Sequence, residues 1–189
     1  MYIKLSDKLL KLKEPSIYLT GISSGAATVA GLLACYPKEF TAGAIHSGLS
    51  YGLAQNQTEA ELVLKNGPSD KLSKLPCKAK DFSGSVLVIH GIEDPVVNIS
   101  HGLRIISDLI GNTTVISTKE VEEKNASYSI SEFQSKAGSK GRFIRIKGLG
   151  HAWAGFTENL KFAHVLGPNG KFPTIIPFFT DKGPSSTNL

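Results

Sequence analysis

Short apolar runs separated by polar, glycine-bearing stretches recur through the first two thirds of the chain. "SIYLT" (16–20), "AGAIHS" (42–47) and "SVLVIH" (85–90) are apolar runs of strand length, the pattern of strands buried on both faces. Between them the period lengthens. "AATVAGLLACY" (26–36) predicts a helix rich in small residues, closed before Pro37. A second helix is predicted around Glu59–Lys65 and a third over "SHGLRIISDLIG", with the loop "NGPSDKLSKLPCKAK" in between. "SYSISEFQS" and "RFIRIKG", joined by the turn "KAGSKG", read as two paired strands. Leu5, Leu9 and Leu12 recur at helical spacing, so residues 4–13 predict a short amphipathic helix ended by Pro15. Apolar strands alternating with helices imply an α/β fold with a largely parallel sheet.

Composition changes this picture little. With 189 residues and 41% hydrophobic content the chain can bury one real core. The formal charge is +5, but the lysines are spread out and not interleaved with aromatics, so no nucleic-acid partner is expected. No apolar run reaches membrane-span length, and no membrane partner is expected. "MYIKLSDKLLKLKEP" has neither the apolar stretch nor the cleavage site of a signal peptide; from a genuine start the chain would stay in the cytoplasm. Cys35 and Cys77 lack metal-ligand spacing, which leaves two alternatives, buried thiols or one disulfide. No metal or organic cofactor is indicated. Residues 1–181 are expected to form the C-terminal portion of a domain, and 182–189 a flexible tail.

Two stretches fit Gly-x-Ser-x-Gly: Gly21-Ile22-Ser23-Ser24-Gly25 and Gly48-Leu49-Ser50-Tyr51-Gly52. A nucleophile at such a turn needs a strand before it and a helix after it. Ser23 has both, whereas Ser50 is followed by the polar "LAQNQTEAE". A serine hydroxyl also needs a histidine to take its proton and a carboxylate to orient that histidine. Asp94, in the loop "GIEDP" leaving a strand, fits the acid, with Glu93 read as a solvated neighbour. His151, in "KGLGHAW" after the strand "RFIRI", fits the base. His46 and His90 end strands and read as hydrogen-bonded structural residues; His101 opens a helix, and His164 lies in a segment without a clear pattern.

From about Ser16 to Phe179 the chain resembles the poly(3-hydroxybutyrate) depolymerase-type esterases. The likeness rests on "SIYLTGISSGAATVAGLLACYPKEFTAGAIHSGLSYGLA", "VLVIHGIEDPVVN" and "GLGHAWAG", and more loosely on "GPNGKFPTIIPFF". The resemblance implies an α/β-hydrolase fold and ester cleavage through an acyl-enzyme on Ser23, with Asp94 as acid and His151 as general base. It also implies the Ser24 amide as oxyanion donor, Trp153 at the substrate pocket and export from the cell. The substrate class would be a polyhydroxyalkanoate, feruloyl or similar small ester. In that family further strands precede the nucleophile strand, and one of their loops supplies the second oxyanion donor. Their absence here would leave "IYLT" as an open edge prone to self-association. The alternative expectation is accordingly a truncated, catalytically impaired remnant or split-gene half.

Overall fold

The computed structural model describes residues 16–69, 77, 82–111, 113–123, 126–136 and 138–154. The expected helix over 4–13, the "TIIPFF" segment, His164 and the tail lie outside them. Six strands form one sheet: β1 (Tyr18–Ile22), β2 (Ala42–His46), β3 (Ser85–Gly91), β4 (Thr113–Glu123), β5 (Ala126–Ser135) and β6 (Lys140–Ile146). Their order is β1-β2-β3-β6-β5-β4. The first four in that order run parallel, while β5 and β4 are antiparallel. Among the described residues β1 is an edge strand.

Helix α1 (Ser24–Cys35) joins β1 to β2. It buries Ala26, Val29, Ala30, Leu33 and Ala34, the i, i+3, i+4, i+7, i+8 stripe of a helix lying on a sheet. Small residues allow a close approach: a Cβ at Gly43 of β2 would stand 2.5 Å from Leu33 Cδ1. Helix α3 (His101–Ile110) packs on the same face through Ile105, Ile106, Leu109 and Ile110. Here the Phe143 ring occupies the space a side chain at Gly102 would take. A second apolar cluster, with Ile89, Tyr128, Ile144, Ile146, Leu149 and Ala154, gathers toward the carboxyl ends of the central strands.

Helix α2 (Gln57–Asn66) buries no residue. It is held at its ends instead. Asn56 Oδ1 accepts the Glu59 amide while Glu59 Oε2 accepts the Gln55 amide, each at 2.9 Å, a near relative of the reciprocal capping box. At the other end the Val63, Leu64 and Lys65 carbonyls accept from His101 Nε2, the Asn98 amide and Asn98 Nδ2. That contact ties α2 to the segment following Asp94.

Candidate active site

The parallel strands bring three loops to one edge of the sheet, since all leave carboxyl ends: Ser23 after β1, Asp94 after β3, His151 after β6. Ser23 sits at φ 56° and ψ −120°, a left-handed conformation that costs a non-glycine residue about 1–3 kcal/mol. Its amide donates to the His46 carbonyl at 3.0 Å and its carbonyl accepts from Ala27 at 3.1 Å, so strand and helix clamp the turn from both sides. Gly21 is obligatory, because a Cβ there would come within 2.5 Å of the Gly25 carbonyl carbon and oxygen. Ser24 opens α1. Amides in a first turn have no acceptor within the helix and carry its positive end.

The Asp94 side chain is 1% exposed and that of His151 is 9% exposed. Asp94 Oδ1 accepts the Val96 and Val97 amides, each at 2.9 Å, and Oδ2 accepts His151 Nδ1–H at 2.9 Å. His90 Nε2–H donates to the Val97 carbonyl at 2.9 Å and lies 3.4 Å from Asp94 Oδ2. Burial pushes the Asp94 carboxyl up. The hydrogen bonds from His151, His90, Val97 and Val96 outweigh it and hold the group well below the usual carboxylate range. With its proton fixed on Nδ1, a neutral His151 carries its lone pair on Nε2.

The acid and base loops are laced together. The Ile92 and Glu93 amides donate to the Ile146 and Leu149 carbonyls at 2.9 and 3.2 Å. Glu93, expected only as a solvated neighbour, accepts the Gly148 amide at 2.5 Å. A Cβ on Gly91 would overlap the Leu149 carbonyl oxygen. Only a glycine lets the two backbones pass this closely.

His46, at the end of β2, is 1% exposed. Its Nε2 accepts the Ala154 amide at 3.0 Å, which places the ring proton on Nδ1, 3.2 Å from Ser47 Oγ. Trp153 stacks on this ring with centroids 5.3 Å apart and planes 21° apart. Burial, then His90 and His151, push the His46 pKa down to about 3 against a smaller opposing pull from Asp94. The hydrogen-bonded structural reading of His46 and His90 thus matches their surroundings. His101 is buried too, bonded to the Val63 carbonyl at 2.8 Å. Ser50, the rival motif serine, is buried and donates to Asp108 at 2.5 Å, pinning the loop after β2 to α3.

A groove of about 830 Å³ crosses the sheet, lined by Thr20, Ala44, Leu87 and Arg142 among others, with Trp153 at its margin. Neither Ser23, Asp94 nor His151 lines it. Its floor is the sheet face turned away from α1 and α3. Among the described residues no cluster of His, Cys, Asp and Glu could hold a metal ion, and no helix is long and apolar enough to cross a membrane. Cys35, at the end of α1, forms a disulfide with Cys77, which decides between the two alternatives left by the sequence.

Comparison with known proteins agrees with this architecture. The structure is similar to an acetyl xylan esterase from Aspergillus awamori, with TM-score 0.56 and 17% identity, over 79% of this chain and 59% of that one. It is also similar to the PHB depolymerase from Penicillium funiculosum, with TM-score 0.55 and 16% identity, over 88% of this chain and 46% of that one. The chain thus spans about half to three fifths of these proteins. At such identities the likeness is one of fold, the α/β-hydrolase fold. No curated protein matches the sequence. The family model described as Esterase PHB depolymerase matches residues 4–131, a stretch that includes Ser23 and Asp94 and stops short of His151. The chain belongs to the Esterase PHB depolymerase family.

Proposed function

We propose that the protein is a serine hydrolase of carboxylic esters, with Ser23 as nucleophile, His151 as general base and Asp94 as the acid that orients it. The observation carrying this reading is the 2.9 Å bond from His151 Nδ1 to a buried, ionised Asp94, at the same sheet edge as the left-handed Ser23 turn. Ser23 Oγ attacks the ester carbonyl carbon as its proton passes to His151 Nε2. Asp94 stabilises the resulting imidazolium, and the Ser24 amide donates to the oxyanion. Collapse expels the alcohol, protonated by His151, and leaves an acyl-enzyme on Ser23. A water activated by the same imidazole then releases the acid and restores the serine.

Trp153, two residues beyond His151 and stacked on His46, presents an apolar wall for the substrate. The substrate class is a polyhydroxyalkanoate, feruloyl or similar small ester. The Cys35–Cys77 disulfide supports work in an oxidising, extracellular setting. A fluorophosphonate probe tests the core of the proposal. The purified chain is expected to label, and Ser23→Ala is expected to abolish labelling while the fold persists. Labelling that survives Ser23→Ala would refute the assignment.

A further inference from the structure

We propose that His46 is a positioning residue which joins the Ser23 turn to the His151 loop and so sets the distance between hydroxyl and imidazole. The inference rests on the roles proposed above for those two residues. His46 touches both loops from one position. Its backbone carbonyl accepts the Ser23 amide at 3.0 Å, and its ring Nε2 accepts the Ala154 amide, also at 3.0 Å. His46 and Ala154 stand 108 residues apart in the sequence, so this bond is a tertiary tie between separate loops. Ala154 is fully buried, and removing its acceptor would leave an amide without water to replace it.

The ring chemistry explains why a histidine suits the position. An acceptor is needed at Nε2 for Ala154, a donor at Nδ1 for Ser47, and a flat face for Trp153. Neutral imidazole supplies all three. A purely packing role would need only the flat face. The ring reaches neither the nucleophile's hydroxyl nor the base's Nε2 through any bond of its own; it acts through the backbone of both loops.

Two variants separate these roles. His46→Phe keeps the ring and loses the acceptor, whereas His46→Gln places an amide oxygen near the old Nε2 position and loses the ring. Trp153 is the only tryptophan, so its fluorescence reports on the stack without reference to activity. In the full chain, kcat toward a 4-nitrophenyl ester should fall about 10²-fold in His46→Phe, the scale of a misplacement near 1 Å, with KM little changed. His46→Gln should recover most of that loss although its Trp153 emission departs further from wild type. Equal losses in both variants, or wild-type kcat in a folded His46→Phe chain, would overturn the proposal. Should His46→Phe fail to fold, Ala154→Pro removes the donor from the other end of the bond; the same fall in kcat is expected, and wild-type kcat in the folded variant overturns the role. Wild-type protein that never labels at Ser23 would instead sink the hydrolase reading itself, and this role with it.

Discussion

The Asp94 carboxylate is buried, yet the amides of Val96 and Val97 and the His151 imidazole keep it ionised. In the proposed reaction its value lies in the tautomer it enforces on His151. Asn in its place would present an N–H to His151 Nδ1, driving the ring proton to Nε2 and leaving no base toward Ser23. Asp94→Asn should therefore lower ester turnover by about 10³–10⁴-fold with the fold intact, as read by initial rates beside circular dichroism. His46 gives a prediction about stability. An unfolded imidazole takes up a proton below pH 6.5, while the folded ring refuses it until about pH 3. In that window the unfolded chain binds more protons, so stability is complete above pH 6.5 and falls with falling pH by about 1.4 kcal/mol per unit. Asp94 adds to the loss from its ordinary value of 3.8 downward, where the unfolded carboxylate takes up a proton that the folded one, held well below the usual range, still refuses. Unfolding free energies from urea titration between about pH 6 and pH 4 should slope less steeply in His46→Gln, by about 1.4 kcal/mol per unit. Identical slopes would show that the ring titrates normally.

At the scale of elements, the glycines of the site are not equivalent. Gly25 belongs to the serine motif, but a Cβ there meets nothing within 4 Å. Gly25→Ala places the best helix former in α1 and should be neutral or stabilising by up to about 1 kcal/mol. Gly91→Ala would drive a Cβ into the Leu149 carbonyl oxygen, backbone against backbone. It should cost about 1–3 kcal/mol and slow labelling at Ser23, because the acid and base loops must separate; parallel thermal melts check both. The same distinction governs what the sequence revealed. β2, β3, α1 and α3 were legible because burial imprints a pattern on the residues. β1 was legible from its apolar run alone: against the expectation of a strand buried on both faces, none of its residues is buried and Tyr18 is 67% exposed. β4 escaped notice: nearly all its positions are exposed, so no buried face marks its alternation. Its Thr113, Thr114, Val115, Ile116, Thr118 and Val121 were the available signal. Ser23, Asp94 and His151 could be nominated because each lies in a glycine-bearing loop beside a strand end. The part played by Glu93 and the link from His46 to Ala154 could not, since those bonds span 55 and 108 residues and leave no local pattern.

Across the whole molecule, the serine turn is braced at a distance as well as locally. Helix α1 begins immediately after Ser23 and ends at Cys35, and that cysteine is bonded to Cys77 with the Cα atoms 5.1 Å apart. The helix under the nucleophile is thus fixed at one end by the hydrogen bonds of the Ser23 turn and at the other by a cross-link. The two cysteines are 42 residues apart, and closing a loop of that length in the unfolded chain is worth about 4 kcal/mol. For a chain of this size each kcal/mol shifts the melting point by about 2–4 °C. Reduction with dithiothreitol, or paired Cys35→Ser and Cys77→Ser substitution, should therefore lower Tm by about 8–16 °C. Labelling at Ser23 well below the new Tm should change little, since the disulfide lies a full helix away from the hydroxyl. A melting point indifferent to reductant would mean that packing of α1 on β2 alone holds the helix. A large loss of labelling in folded, reduced protein would mean that the far end of α1 governs the serine turn directly.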